Sequence, residues 1–365
     1  MPMNEKIHFT QIAVIVYLIQ SGIILFALPR LVAEAFGTNG WLGIFGLSGI
    51  VLVNIYLIHL VYKKGNGRSI FLILEQNLPK FLLYPLYLYL IVTLGLLGIL
   101  VAKNYSLLIQ LTMFVDVNPN LLLFYFVIVS IFFVSKGIYN MGKIAIVFFF
   151  FTIWTIFLLL IVAPEFSFTR LTPFLFQNPL DPMKSGLESY TAFLGFEIVL
   201  FLFPYVQKDG NFGKAIVIGH LFTTFIYAAV CFIAMGFFSL EQLRNILYPT
   251  QVILKHMETP LIERIENLVF GVFLLKIMVT VVFYHWAALE VTKQIFPKTK
   301  ELKLIIGLFM GTFLVALIPT IQREVNELFS MVVTPYVFFA FFFPILLLFL
   351  LWVEGKRARR EKDIA

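Results

Sequence analysis

Charge is what this sequence has least of. Only 13% of its 365 residues are Asp, Glu, Lys or Arg, where a soluble chain of that length carries about a quarter. Apolar side chains fill the deficit, at 61% of the total with 43 Phe, which excludes a water-soluble core and leaves a polytopic membrane protein. Cysteine is nearly missing: Cys231 stands alone inside an apolar run, so there is no disulfide framework and no thiolate metal site. His8, His59, His220, His256 and His285 show neither HExxH nor i, i+4 spacing, and zinc chemistry has no support. No nucleophile, base and orienter fall together, so neither catalysis nor a cofactor is expected. The net charge of +7 is spread over short loops and the tail without a basic groove or interleaved stacking aromatics, and no nucleic-acid partner is expected. The N-terminus also lacks the short apolar region and small-residue cleavage site of a signal peptide, so the first span is expected to stay in the mature protein.

What is present is a series of apolar stretches, each of roughly 17 to 25 residues, enough to cross a bilayer. Ten are expected, over 8–36, 41–62, 81–103, 119–135, 143–163, 186–205, 213–238, 265–293, 303–320 and 331–353. Lys and Arg concentrate in alternate connections: Lys63, Lys64, Arg68 and Lys80; Lys136 and Lys143; Lys208 and Lys214; Lys293, Lys298, Lys300 and Lys303; and the tail 354–365. The positive-inside rule then puts both termini in the cytoplasm, which an even number of crossings allows. The basic tail would rest on anionic headgroups. Of the two long outer loops, 164–185 and 239–264, the second spaces Leu240, Leu243, Leu247, Ile253 and Leu254 as an amphipathic cover does.

Two of the stretches are interrupted at mid-depth. The first carries Ser21 and Gly22 at its centre with Pro29 beyond, and the sixth carries Gly195, then Glu197 and Pro204. In lipid an unpaired backbone N–H or C=O costs several kcal/mol, so a broken helix persists only where protein or a water-filled cavity receives the freed groups. A lone Gly in such a span is more often a packing contact between helices. Matching interruptions in the first and sixth spans favour a transporter-type site instead, and a halving into repeats over 8–163 and 186–353 that are inverted, because each holds five spans. Restarted half-helices offer N–H groups to a carboxylate, and the carbonyls ending the preceding half suit an ammonium group, so a zwitterionic amino acid matches both.

The strings SGIILFALPR (21–30) with NGW (39–41), AFLGFEIVLFLFPYV (192–206), LTPFLF (171–176), and YPTQ (248–251) followed by ETPLIERIE (258–266) closely resemble the B-subunit family of bacterial spore germinant receptors. That family belongs to the amino acid–polyamine–organocation transporter superfamily. ALPR and GFE are shared with ordinary amino acid permeases, whereas the YPTQ to ERIE loop and LTPFLF look particular to the receptor group. The resemblance implies an all-α, LeuT-like five-plus-five inverted repeat with discontinuous helices 1 and 6, and a nutrient site between spans 1, 3, 6, 8 and 10. It further implies a spore inner-membrane location and partnership with a receptor A subunit and a lipoprotein C subunit, besides the membrane lipid. In many relatives the first break reads glycine, small residue, glycine. Here the second glycine position is Ile24, whose β-branch crowds the cavity and stiffens the backbone that would face a carboxylate.

The expected ligand-site residues are Gly22, Ile23, Ile24 and Leu25 at the first break and Phe193, Leu194, Gly195, Phe196 and Glu197 at the second. Thr93, Leu97 and Thr280 join them by depth, and Lys276 as an ionisable group inside a span. Glu197 either caps the restarted half-helix or holds a proton or a ligand amine. Lys276 either snorkels outward or, as relatives imply, takes the place of a sodium ion. Arg30 and Glu34, one turn apart, are expected to pair near an outer gate, and Asn54 and His59 to bond between helices. Pro335 and Pro344 are expected to bend the last span. Three functions stay open: a nutrient-sensing receptor subunit, a proton-coupled or sodium-independent amino acid permease, and a structural or pore subunit that binds nothing itself.

Overall fold

The computed structural model describes residues 6–114, 116–207, 211–257 and 264–364. Among them every regular element is a helix, joined by turns and loops, and the single extended pairing is a parallel bridge between Ile7 and Val206. In chain order the helices are α1 (Phe9–Gln20), α2 (Leu28–Phe36), α3 (Gly43–Lys64), α4 (Ile70–Asn77), α5 (Lys80–Thr112), α6 (Pro119–Ser135), α7 (Ile138–Ile153), α8 (Pro182–Thr191) and α9 (Val199–Leu202). They continue with α10 (Phe212–Phe237), α11 (Leu240–Asn245), α12 (Pro249–His256), α13 (Ile265–Ile295), α14 (Glu301–Ala316) and α15 (Gln322–Ile364). Helix dominates because every backbone N–H and C=O in lipid must be satisfied within its own segment.

Among the described residues, six helices are long and apolar enough to cross a membrane: α3 with the preceding turn, α5, α7 with its extension, α10, α13 and α15. Pro182–Thr191 and Phe196–Tyr205 add a seventh if their 46° bend is taken as one interrupted span. Of the remaining expected spans, α1 is cut at Ser21–Gly22, α6 has 17 residues, and α14 has 16 with charges in its first turn. The last span reaches well beyond 331–353, and its helix runs on through both Pro335 and Pro344.

α13 is the central pillar. It buries 72% of its apolar window, against 28% for α7 at the rim, and it packs along α5, α1, α6 and α7. Rim helices leave apolar groups such as Phe150, Phe151, Phe225 and Phe338 outward, as lipid-facing positions do. α4 was not expected: its eight residues are too short to read as a span, yet Ser69 caps it by accepting from Phe71 N–H at 3.3 Å and it packs on α15. The expected amphipathic cover is present as α11 and α12; residues 258–263, the first six of the ETPLIERIE string, lie outside the described residues.

Candidate functional site

The first span breaks where its sequence said it would. α1 ends at Gln20, Gly22 N–H turns back onto the Gln20 carbonyl at 2.8 Å, and a 3-10 turn over Ile23–Phe26 leads into α2. Pro29 falls in the first turn of α2, where a missing N–H costs nothing. In the sixth span α8 gives way at Ala192. Gly195 takes φ +116°, and short helical turns carry the chain on to Tyr205.

Side chains from the scaffold receive the freed carbonyls. The single hydroxyl proton of Tyr227 on α10 is shared between Gln20 O and, at 3.0 Å, Ala192 O, so one phenol bridges both breaks. Gln20 Nε2 donates to Phe193 O at 2.6 Å and Thr250 of α12 to Leu25 O at 3.0 Å, while the Thr280 hydroxyl shares its one proton between Lys276 O at 3.3 Å and Ile19 O at 3.4 Å. Sequence reasoning missed Tyr227, Gln20 and Thr250, because a Tyr or Gln in an apolar run does not declare which carbonyl it will meet.

The two breaks touch: Gly195 faces the Ile19 side chain, and a Cβ there would stand 2.4 Å from Ile19 Cγ2. Gly22 differs, since an added Cβ would find nothing nearer than Ile19 O at 3.9 Å. Beside it the Ser21 hydroxyl is fully buried with no hydrogen-bond partner. Ile23 and Ile24 are only half-buried, whereas Leu25, Phe193, Leu194 and Phe196 are buried. Thr93 and Leu97 are buried on α5, which packs against the 23–26 turn.

Glu197 is buried and fully engaged. Its Oε2 accepts from Gly195 N–H at 2.7 Å, and its Oε1 accepts from Tyr284 of α13 at 2.9 Å and Tyr336 of α15 at 3.2 Å. It therefore caps the restarted half-helix and ties it to the scaffold. Lys276 does not snorkel. It is 1% exposed, donates to Tyr17 OH at 2.9 Å and lies over the rings of Tyr17 and Phe273. No carboxylate pairs with it among the described residues, Glu197 included.

Beyond the breaks, both ends of the interrupted spans are fastened together. Arg30 and Glu34 pair at 2.7 Å; Ser185 donates to Glu34 at 2.9 Å, and Leu180 and Asp181 N–H reach the Glu34 carbonyl, joining α2 to α8. At the opposite end Ile7 N–H donates to Tyr205 O at 2.8 Å, and Tyr205 donates to Glu290, which pairs with Lys293. Asn54 bonds across to Phe341 O at 2.9 Å as expected. His59 departs from expectation: its Nδ1 has no partner, because its ring is spent filling the notch at Gly213.

Residues 6–325 match the family described as "Spore germination protein". Similar relatives include spore germination protein GerQB of Bacillus cereus, 26% identical over 80% of this chain and 81% of its own. Spore germination protein B2 of Bacillus subtilis is 25% identical over 98% of both chains. Among solved structures, the nucleobase-cation-symport-1 family transporter Mhp1, in a closed conformation with bromovinylhydantoin bound, matches 92% of this chain and 78% of its own with a TM-score of 0.67 at 13% identity. The identity is too low to carry more than the fold, but the fold is a transporter's. With the sequence match running from Lys6 into the last helix of that bundle, the chain belongs to the spore germination protein family.

Proposed function

We propose that this chain is the nutrient-sensing membrane subunit of a spore germinant receptor, binding a small nutrient, an amino acid in this reading, beside the break of the first span. The observation that carries the reading is the buried, unpartnered Ser21 hydroxyl next to the open side of Gly22. A buried polar group without a partner is rare enough to call for a ligand or a water. Leu25, Thr93, Leu97, Thr280 and Lys276 would line the remainder, with Ile23 and Ile24 narrowing the entrance. The family membership supports a role in germination, with an A subunit and a lipoprotein C subunit as partners. The mechanism is a population shift: nutrient held better by one packing of the interrupted spans against the scaffold moves the equilibrium by its differential affinity. The Arg30–Glu34 pair would act as the outer gate.

In the same reading the chain crosses the spore inner membrane ten times as two inverted repeats, 8–163 and 186–353, with both termini and the 354–365 tail in the cytoplasm. Topology is directly testable, since the native Cys231 is buried. With a membrane-impermeant thiol reagent added outside, Asn178→Cys is expected to label and Lys356→Cys to remain unmodified. The reverse pattern would invert the orientation.

Nutrient binding is tested by a thermal-shift screen of amino acids, sugars and nucleosides, because a ligand at a hundred times its Kd stabilises by about 2.7 kcal/mol. A saturable shift lost in Gly22→Phe, in a variant that still folds, is the expected result. No shift with any compound in the folded protein would sink a site complete within this chain. Lys276 favours a second reading, a sodium-independent permease, because its ammonium is held inside the bundle against α1. Uptake of labelled nutrient by proteoliposomes holding this chain alone, lost in Lys276→Met, would establish transport; absent uptake with intact binding would leave the sensor.

A further inference from the structure

The connection that leads into α8 carries a string without a single charge, LTPFLFQNPL over 171–180, and holds much of its apolar surface outward. Phe168, Phe174, Leu175 and Leu180 are between 63% and 73% exposed. All four lie outside the apolar helices long enough to cross a membrane, so the hydrocarbon around the spans does not by itself account for them.

This exposure is held in place by the backbone. Leu175, Phe176 and Asn178 take φ of +64°, +53° and +55°, a left-handed conformation that residues with bulky side chains keep only where their surroundings over-determine it. Thr38 does most of the holding. Its N–H donates to Gln177 O, its carbonyl accepts from Phe176 N–H and its hydroxyl accepts from Gln177 N–H, each at 3.0 Å. Asn39 Nδ2 donates to Leu171 O at 2.7 Å, and Arg244 of α11 donates to Asn178 O.

The same bonds set the depth of the connection. Ser167 N–H donates to Gly236 O at 3.0 Å, and Arg170 donates to the Gly236 and Phe237 carbonyls, where the apolar helix α10 ends. Thr38 stands two residues before Gly40, where the apolar span containing α3 begins. The connection is thus fastened where two spans meet one face of the membrane, at the boundary of hydrocarbon and headgroups. A row of rings joins it to the lipid-facing surface: Phe168 lies 4.8 Å from Phe166, Phe166 4.9 Å from Phe232 of α10, Phe232 5.1 Å from Trp41, and Trp41 6.2 Å from the exposed Phe45 of α3.

We propose that this connection is a lipid-binding surface lying in the membrane interface, with Phe174, Leu175 and Leu180 inserted among the phospholipid chains and the exposed Gln177 and Asn178 left to the headgroups. Depth, missing charge and continuity with the lipid-facing rings favour phospholipid over a protein partner. The inference does not rest on nutrient binding.

The test uses the full-length protein in phosphatidylcholine nanodiscs, which leave both membrane faces open to solutes, so it is also independent of orientation. Phe174→Cys and, separately, Leu180→Cys are labelled with bimane, the native Cys231 being buried, and Lys184→Cys, an exposed position in the first turn of α8, serves as the aqueous reference. Both loop labels are expected to be quenched by lipid bearing a doxyl group near the headgroup, more strongly than by a mid-chain doxyl, and about threefold or more less by aqueous iodide than the reference, as for side chains sunk just below the headgroups. Iodide quenching at either loop position equal to the reference, without a response to doxyl lipid, would overturn the proposal and leave this face to a protein partner.

Discussion

Gly195→Ala is expected to destabilise the folded protein by about 3 kcal/mol or more, while Gly22→Ala is expected to change stability by less than about 1 kcal/mol. Both glycines interrupt a span at mid-depth, and sequence alone assigns them the same part. Their backbones differ. Gly195 sits at φ +116°, a region that costs a residue with a side chain of order 1–3 kcal/mol. Its new Cβ would also lie 2.4 Å from Ile19 Cγ2 and 3.4 Å from Gln20 N, an overpacking worth typically about 1–3 kcal/mol more. Gly22 has φ −85° in extended backbone with free space on its Cβ side. The thermal midpoints of the two variants in one detergent, read at one scan rate because such unfolding is commonly irreversible, decide the matter. Equal midpoints would mean that the two breaks do not pack against each other as described.

Removing the Glu197 carboxylate is the second large effect. In Glu197→Ala the hydroxyls of Tyr284 and Tyr336 and the N–H of Gly195 all lose their acceptor, and both tyrosines are buried, at 4% and 1% exposure. An orphaned buried donor costs about 1–3 kcal/mol, so a loss of about 3–6 kcal/mol is expected after partial relaxation. Glu197→Gln keeps an oxygen for the two phenols and should lose less than half as much. Tyr284→Phe and Tyr336→Phe each delete one donor and leave the carboxylate two others, so each should cost about 1 kcal/mol, and the pair less than Glu197→Ala. The midpoints of these four variants check the ranking. If Glu197→Ala were as stable as wild type, the carboxylate would not be holding the half-helix to α13 and α15.

The same carboxylate shows where sequence reading reaches its limit. Its two sequence readings, cap or proton and amine holder, differ only in what surrounds the oxygens, and that is set by residues 87 and 139 positions further along the chain. Lys276 was likewise open between snorkelling and burial, because depth along a helix can be counted from sequence but the facing of one position cannot. α13 is apolar nearly all round, so its pattern carries no direction.

What the sequence determined by itself is the part governed by the solvent and by local backbone chemistry. A shortage of charge and runs of apolar residues require membrane helices, and the matching interruptions at Ser21–Gly22 and Gly195 favour breaks there, of the kind that persist in a bilayer only where protein or a cavity receives the freed backbone. Motif strings carried the family for the same reason, being contiguous. The tertiary structure alone decided who receives the carbonyls those breaks release: Tyr227, Gln20, Thr280 and Thr250, all far from them in the chain or on another helix. It also decided that Gly195 is packed tight while Gly22 stands open. Hydrogen bonds between helices depend on rotation about each axis, which uniformly apolar surfaces do not encode and close packing of the assembled bundle does.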